Sequence, residues 1–166
     1  MKRISIIGPA GSGKSTLAVK LGQIYGLPVY HFDKIREKID SVIETEEWII
    51  DGNRKVLLEK RIQNSDLVIF LDFPLDFCKD SVKQRDNSKR PDNPVVCNLS
   101  DDEFVAFCLN TLDEWADGKG KVINSLAKKY KQKFIILKNR QEVDDFLKTV
   151  SAGVTGRRDK PVRDVL

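Results

Sequence analysis

The sequence predicts an α/β fold in three layers, a doubly wound parallel sheet with helices on both faces, and three observations carry that expectation. Short, unbroken apolar runs recur along the chain; helical spacing of apolar residues recurs between them; and the first run passes through a glycine-rich loop into a helical pattern. Strands that are apolar throughout belong to a sheet covered on both faces. Strands that alternate with helices build parallel crossover units.

Lys2 to Ile7 is the first run, ending at Gly8, and Ser15 to Tyr25 sets Leu17, Leu21, Ile24 and Tyr25 on one helical face. Leu27 to Phe32 gives a second strand, Glu47 to Ile50 a third ending at Asp51-Gly52, Leu67 to Leu71 a fourth ending at Asp72, and Phe134 to Leu137 a fifth. Val56, Leu57 and Ile62 predict a helix before the fourth strand, and Val122, Ile123, Leu126 and Tyr130 one before the fifth. Ser100-Asp101-Asp102-Glu103 has the form of a capping box, followed by a stripe of Val105, Cys108, Leu112 and Trp115. Val143, Phe146, Leu147 and Val150 predict a closing helix. From Ser151 onward, Gly153, Gly156, Pro161 and four bases in sixteen positions read as a flexible basic tail, residues 151–166, beyond a single domain of residues 1–150.

The 166 residues suit one domain, and 40% hydrophobic residues suffice for a core without a membrane span. Met1-Lys2-Arg3 carries charge, but the apolar run behind it is too short for a secretory signal. Three cysteines with no CxxC pair fit a reducing compartment, so the expected location is the cytoplasm, with no membrane partner. The net charge of +4 is unevenly spread: residues 99–117 hold six acids and no base, residues 118–140 eight bases and no acid. Such blocks are read as solvated helix faces, although the basic one leaves polyanion binding open. Nothing in the sequence fixes the oligomeric state.

Gly8-Pro9-Ala10-Gly11-Ser12-Gly13-Lys14-Ser15 satisfies GxxxxGK[ST] and stands between a predicted strand and a predicted helix, where that motif must stand. Its glycines let successive backbone amides turn toward phosphate oxygens, and the helix behind adds the positive end of its dipole. Lys14 brings a charge to the β and γ phosphates and the Ser15 hydroxyl can ligate Mg²⁺, with Thr16 completing the nucleotide-binding segment. A magnesium triphosphate also calls for a strand-end carboxylate. Asp51, after Trp48-Ile49-Ile50, is the first choice and Asp72 the competitor. Without an Asn-Lys-x-Asp guanine signature, the nucleotide is expected to be ATP.

Asp33, at the end of the second strand, should project over the carboxyl edge of the sheet, where it could accept an acceptor's proton or help to hold magnesium; capping a helix from Lys34 to Ile39 is the alternative. His31 is read as structural. Asp86 to Leu99 lack a packed, periodic pattern, which supports a mobile segment closing over the reaction; in a lid at approximately residues 84–99, Arg85 and Arg90 would neutralise charge on the transferring group.

Gly8 to Ser15, His31-Phe32-Asp33, Ile49-Ile50-Asp51-Gly52-Asn53, Ile69 to Pro74 and Arg90-Pro91-Asp92 together resemble the DNA topology modulation protein family, a branch of the adenylate-kinase-related P-loop kinases. The resemblance spans roughly residues 1 to 148. It implies a five-stranded parallel sheet in the order 2-3-1-4-5, a mobile lid, an adenine site near Lys138-Asn139-Arg140, and an acceptor site touching Asp33, Asn53 and Arg54. Two departures stand out: Arg54 replaces an aromatic after Asp-Gly-Asn, and the arginine-rich lid is reduced to Arg85, Lys89 and Arg90. The expected activity is transfer of the γ-phosphoryl group of Mg-ATP to a small acceptor, nucleotide-like or otherwise. A nucleotide-dependent, DNA-binding regulator and a P-loop protein without turnover are the alternatives left open.

Overall fold

Ile4, Ile6 and Ile7 are all fully buried, yet they serve two different cores. Successive strand side chains point to opposite faces, so Ile4 and Ile6 join Ile49, Leu67, Ile69 and Leu71 on one side, while Ile7 joins Val68 and Phe70 on the other. A sheet apolar on both faces must be covered on both, as the unbroken runs predicted. The computed structural model describes residues 1–32, 34–35, 37–55, 57–84 and 101–154.

Along the chain the elements are β1 (Arg3–Ile7), α1 (Lys14–Tyr25), β2 (Val29–His31), α2 (Ile39–Ile43), β3 (Trp48–Asp51), α3 (Leu58–Asn64), β4 (Leu67–Leu71), α4 (Leu75–Lys83), α5 (Asp101–Asp113), α6 (Lys119–Lys129), β5 (Phe134–Leu137) and α7 (Arg140–Val154). The five strands form one parallel sheet in the order β2-β3-β1-β4-β5. On the first face, Leu17, Ala18 and Leu21 of α1 pack with Cys78 and Val82 of α4, Cys108 and Leu112 of α5, and Val143 of α7. On the second, Leu58 and Ile62 of α3 meet Ile123 and Leu126 of α6, and α2 covers Trp48 and Ile50 through Ile39 and Ile43. No helix among the described residues is long and apolar enough to cross a membrane.

Several element boundaries differ from expectation. β2 is cut to three residues, because Phe32 leaves the sheet after its amide reaches the Asp51 carbonyl at 3.0 Å. The described residues between 34 and 38 are not helical; turns closed by the Lys34, Ile35 and Lys38 amides lead instead to the short α2. Asp51 is the last residue of β3 rather than the first beyond it. Leu57, expected on a helical face, adopts a left-handed φ of 91° and caps α3, which starts at Leu58. Asp72-Phe73-Pro74, expected to start a turn, instead leads from β4 into the unforeseen α4, which Pro74 caps and whose Cys78 and Val82 face inward. Val122 is exposed although Ile123 and Leu126 are buried. α7 runs through Ser151 to Val154, past the expected helix end, since glycine at 153 weakens a helix without forbidding it. Val56, the Ser100 cap, residues 85–99 of the lid and residues 155–166 of the tail lie outside the described residues.

Candidate functional site

β1 ends at Ile7 and α1 begins at Lys14, so the connection must turn within Gly8 to Gly13. Gly11 and Gly13 adopt φ of 81° and 88°, backbone conformations that a side chain resists. The loop also has no room on its outer side. A Cβ at Gly11 would collide with the carbonyl of Cys78 on α4, and one at Gly13 with the Arg140 guanidinium. Inside, the loop closes on a single acceptor: the Pro9 carbonyl receives the Ser12 amide at 3.3 Å, the Ser12 hydroxyl at 2.8 Å and the Lys14 ammonium at 2.8 Å. Gly13 caps α1 and has no side chain with which to satisfy the first-turn amides, the arrangement that lets a helix start receive an anion. Ala10 packs against the core, and Thr16 is exposed on the first turn of α1.

Asp51 owes its direction to strand parity. It shares a face with Ile49, which is part of the core that α1 covers, and its carboxylate therefore meets the Ser15 hydroxyl at the start of α1. Across the sheet, His31 is its register partner, with Nδ1 at 3.0 Å from Asp51 Oδ1. Asp51 is 4% exposed. Burial pushes its carboxyl pKa up, but the hydrogen bond and charge of His31, the Ser15 hydrogen bond and the Lys14 charge together bring it below the ordinary value, so the group is a carboxylate. Asp72 instead extends the β4–β5 ladder, its amide donating to the Leu137 carbonyl at 2.9 Å.

The segment after Asp51 is tied down on three sides. The Gly52 amide donates to the Ile6 carbonyl at 3.1 Å, and the Gly52 carbonyl accepts from Arg61 Nη2 at 2.6 Å. Asn53 grips the start of the phosphate loop: its Oδ1 accepts from the Gly8 amide at 3.0 Å and its Nδ2 donates to the Gly8 carbonyl. Asn53, expected on the acceptor side, thus uses both ends of its side-chain amide on the start of the glycine loop. Arg54, next in the chain, is exposed.

Arg140 opens α7 beside Gly13. Its guanidinium carbon lies 5.4 Å from the ring centre of Phe73 and 5.5 Å from that of Phe77, two rings that meet edge to face. Lys14, Ser15, Asp51, Asn53 and Arg140 all lie at the loop, Asn53 through its bonds to Gly8 and Arg140 through its approach to Gly13. Asp33, Arg85 and Arg90 lie outside the described residues. Of the eight bases of the 118–140 block, Lys129 and Lys133 bind α3, the first through Glu59 at 2.7 Å and the second through the carbonyls of Ile62, Gln63 and Ser65.

Two residues at the site were not legible beforehand. His31 was read as structural, and its contact with Asp51 follows from inter-strand register, which no local pattern encodes. Arg61 was not singled out, although its position carries a signal: it falls between Leu58 and Ile62 on the buried stripe of α3, where a solvated base does not belong.

The Ser15 hydroxyl and Asp51 carboxylate are adjacent hard oxygen donors, a set that fits Mg²⁺, an ion that takes its remaining ligands from phosphate and water. Among the described residues no group of three or more His, Cys, Asp or Glu could hold a metal by itself.

No protein-family model matches the chain, and no curated protein matches it in sequence. Solved structures do match in shape. A shikimate kinase from Bacteroides thetaiotaomicron superposes with a TM-score of 0.54 at 17% identity, over 91% of this chain and 97% of that one. A shikimate kinase from Acinetobacter baumannii in complex with shikimate gives 0.52 at 14% identity, over 90% of each chain. A gluconokinase from Sinorhizobium meliloti gives 0.50 at 13% identity, over 92% of this chain and 91% of that one. At such identities the likeness is one of architecture alone: these kinases share the fold of a five-stranded parallel sheet in the order β2-β3-β1-β4-β5 with helices on both faces.

Proposed function

We propose that this protein is a phosphotransferase that moves the γ-phosphoryl group of ATP to a small acceptor. The observation that carries the reading is the contact between Ser15 at the start of α1 and the buried Asp51 carboxylate at the end of β3, beside a loop crossed by the Lys14 ammonium. Gly8 to Thr16 would surround the phosphates, with Lys14 on the β and γ groups. Ser15 and Asp51 would hold Mg²⁺, which supplies charge neutralisation on the phosphoryl oxygens when bound. Arg140 and the adjoining Lys138-Asn139 segment would border the base.

Phosphoryl transfer asks a protein chiefly for positioning and charge, both of which these residues offer. Asp33 is assigned the acceptor's hydroxyl proton, and Arg85 and Arg90 the closure over the transferring group; Arg54 is left to the acceptor side. Within the adenylate-kinase-related kinases, the motif pattern favours the DNA topology modulation branch. The architectural likeness to kinases of small hydroxy acids argues for testing such compounds beside nucleotides.

Purified protein with Mg-ATP should be assayed for ADP release against nucleoside monophosphates, nucleosides, shikimate, gluconate and related hydroxy acids. One acceptor should raise ADP formation well above the acceptor-free rate, and Lys14→Ala should abolish the increase. ATP bound with no acceptor-stimulated turnover anywhere in the panel would refute the reading.

A further inference from the structure

Arg61 is 1% exposed, yet it is charged and incompletely satisfied. Its Nη2 donates to the Gly52 carbonyl at 2.6 Å and the Phe32 ring lies 5.6 Å from its guanidinium carbon, while Nε and Nη1 have no hydrogen-bond partner among the described residues. Burial lowers its pKa to about 10 and the Asp51 charge works in the opposite direction, so the side chain is a cation at neutral pH. Donors buried without acceptors are unfavourable. A methionine of similar length would fill the same space between Leu58 and Ile62 without that penalty, so packing alone does not account for an arginine here.

What arginine adds is a hold on Gly52, and Gly52 is where the site's connections meet. Its predecessor Asp51 faces Ser15 and His31; its successor Asn53 binds both backbone groups of Gly8. Its own φ of 127° and its close approach to Phe32, where a Cβ would lie 2.6 Å from the Phe32 Cβ, leave it no side chain of its own with which to anchor. Phe32 in turn is the residue that follows β2. Strand parity puts the Asp51 side chain on the α1 side of the sheet, while the Gly52 carbonyl just beyond β3 meets Arg61 of α3, so Arg61 holds from the other side the segment that Asp51 and Asn53 use.

We propose that Arg61 is a positioning residue for phosphoryl transfer: it locks the Asp51–Asn53 segment so that Asp51 faces Ser15 and Asn53 grips Gly8, coupling the phosphate loop to the end of β2. The functional part of this rests on the phosphotransferase reading above; the mechanical part does not. A displaced Gly52 would move the carboxylate and release the loop together.

The test begins with ligand-free protein. Amide hydrogen exchange is measured at Gly52 and Gly8 in the wild type, Arg61→Met and Arg61→Lys, with Val68 and Ile69 of β4 as internal references. Arg61→Met should raise exchange at Gly52 and Gly8 by about tenfold while β4 stays protected, as expected for loss of one charge-assisted hydrogen bond; Arg61→Lys, which retains a cationic donor, should restore part of the protection. Equal acceleration at β4, or no change at Gly8 in either variant, would overturn the proposal, and Arg61→Lys decides it should the methionine variant fail to fold. ATP binding is then titrated with and without Mg²⁺. Arg61→Met should weaken Mg-ATP more than metal-free ATP, as should Asp51→Asn. If Asp51→Asn leaves the magnesium dependence intact, the phosphotransferase assignment of Asp51 fails, and the exchange data alone decide on Arg61.

Discussion

The Gly8 amide donates to Asn53 Oδ1 at 3.0 Å across 45 residues of sequence, and Asn53 Nδ2 returns a hydrogen bond to the Gly8 carbonyl. One side chain thus fixes the residue at which β1 becomes the phosphate loop. Asn53→Ala removes both bonds and leaves two backbone groups of the loop to find other partners. At about 1 kcal/mol for each net hydrogen bond, the loop's preorganisation should weaken enough to reduce ATP affinity roughly tenfold. Isothermal titration with Mg-ATP measures this, and unchanged affinity would show that the pair is dispensable to the loop.

His31 and Asp51 supply a pH signature. With burial opposing them, the hydrogen bond and charge of His31 are the leading influences that depress the Asp51 carboxyl pKa. In His31→Ala, burial should dominate and the pKa should rise. A carboxylate is ionised above its pKa, so the acid limb of Mg-ATP binding should move to higher pH, with a smaller loss on the alkaline side. Binding titrations across pH 4 to about 8 would show the shift; superimposable profiles would mean that His31 does not tune the carboxylate.

Asp66 secures the start of β1, its Oδ2 accepting the Lys2 amide at 2.8 Å and the Arg3 amide at 3.1 Å. Desolvation raises its pKa, but these amides and the charges of Arg3 and the amino terminus outweigh it, leaving the carboxyl below 3.8. The stabilisation is therefore complete above that pH and is lost as pH falls through the lower folded value. Asp66→Asn should cost about 1 kcal/mol at pH 7, roughly 2–4 °C in Tm for a chain of this size, and flatten the acid limb of the stability curve. Denaturant melts at pH 7 and pH 3 provide the comparison.

Lys133 offers a control remote from the loop. Its ammonium bonds the carbonyls of Ile62 at 3.3 Å, Gln63 at 2.6 Å and Ser65 at 3.0 Å, closing the carboxyl end of α3. A cation there satisfies orphan carbonyls and complements the helix dipole. Lys133→Met should lower stability by about 1–2 kcal/mol and leave ATP affinity unchanged. If affinity falls with stability, α3 transmits more to the site than its Arg61 contact accounts for.

The strands and the phosphate loop were legible because their signals are local. An apolar run such as Leu67 to Leu71 reports its own burial, and GxxxxGK[ST] between a strand and a helix reports its own geometry. Asp51 was legible for a related reason, since the acid that ends a strand must sit at the carboxyl edge of a parallel sheet. α4 was missed although Leu75, Cys78 and Val82 have helical spacing, because Pro74 signals a turn equally well whether a helix or a loop follows.

By itself, then, the sequence determined the layers, the five strands and the glycine-rich loop between β1 and α1, all properties of residues within a few positions of one another. Only the tertiary structure decided which groups meet there. That Asn53 belongs to Gly8, that His31 flanks Asp51 and that Arg61 holds Gly52 from the opposite face depend on strand order, register and parity, which join segments 45, 20 and 9 residues apart. Period and composition record whether a side chain is buried. They do not record what it is buried against, because that is set by the packing of layers that the chain brings together only on folding.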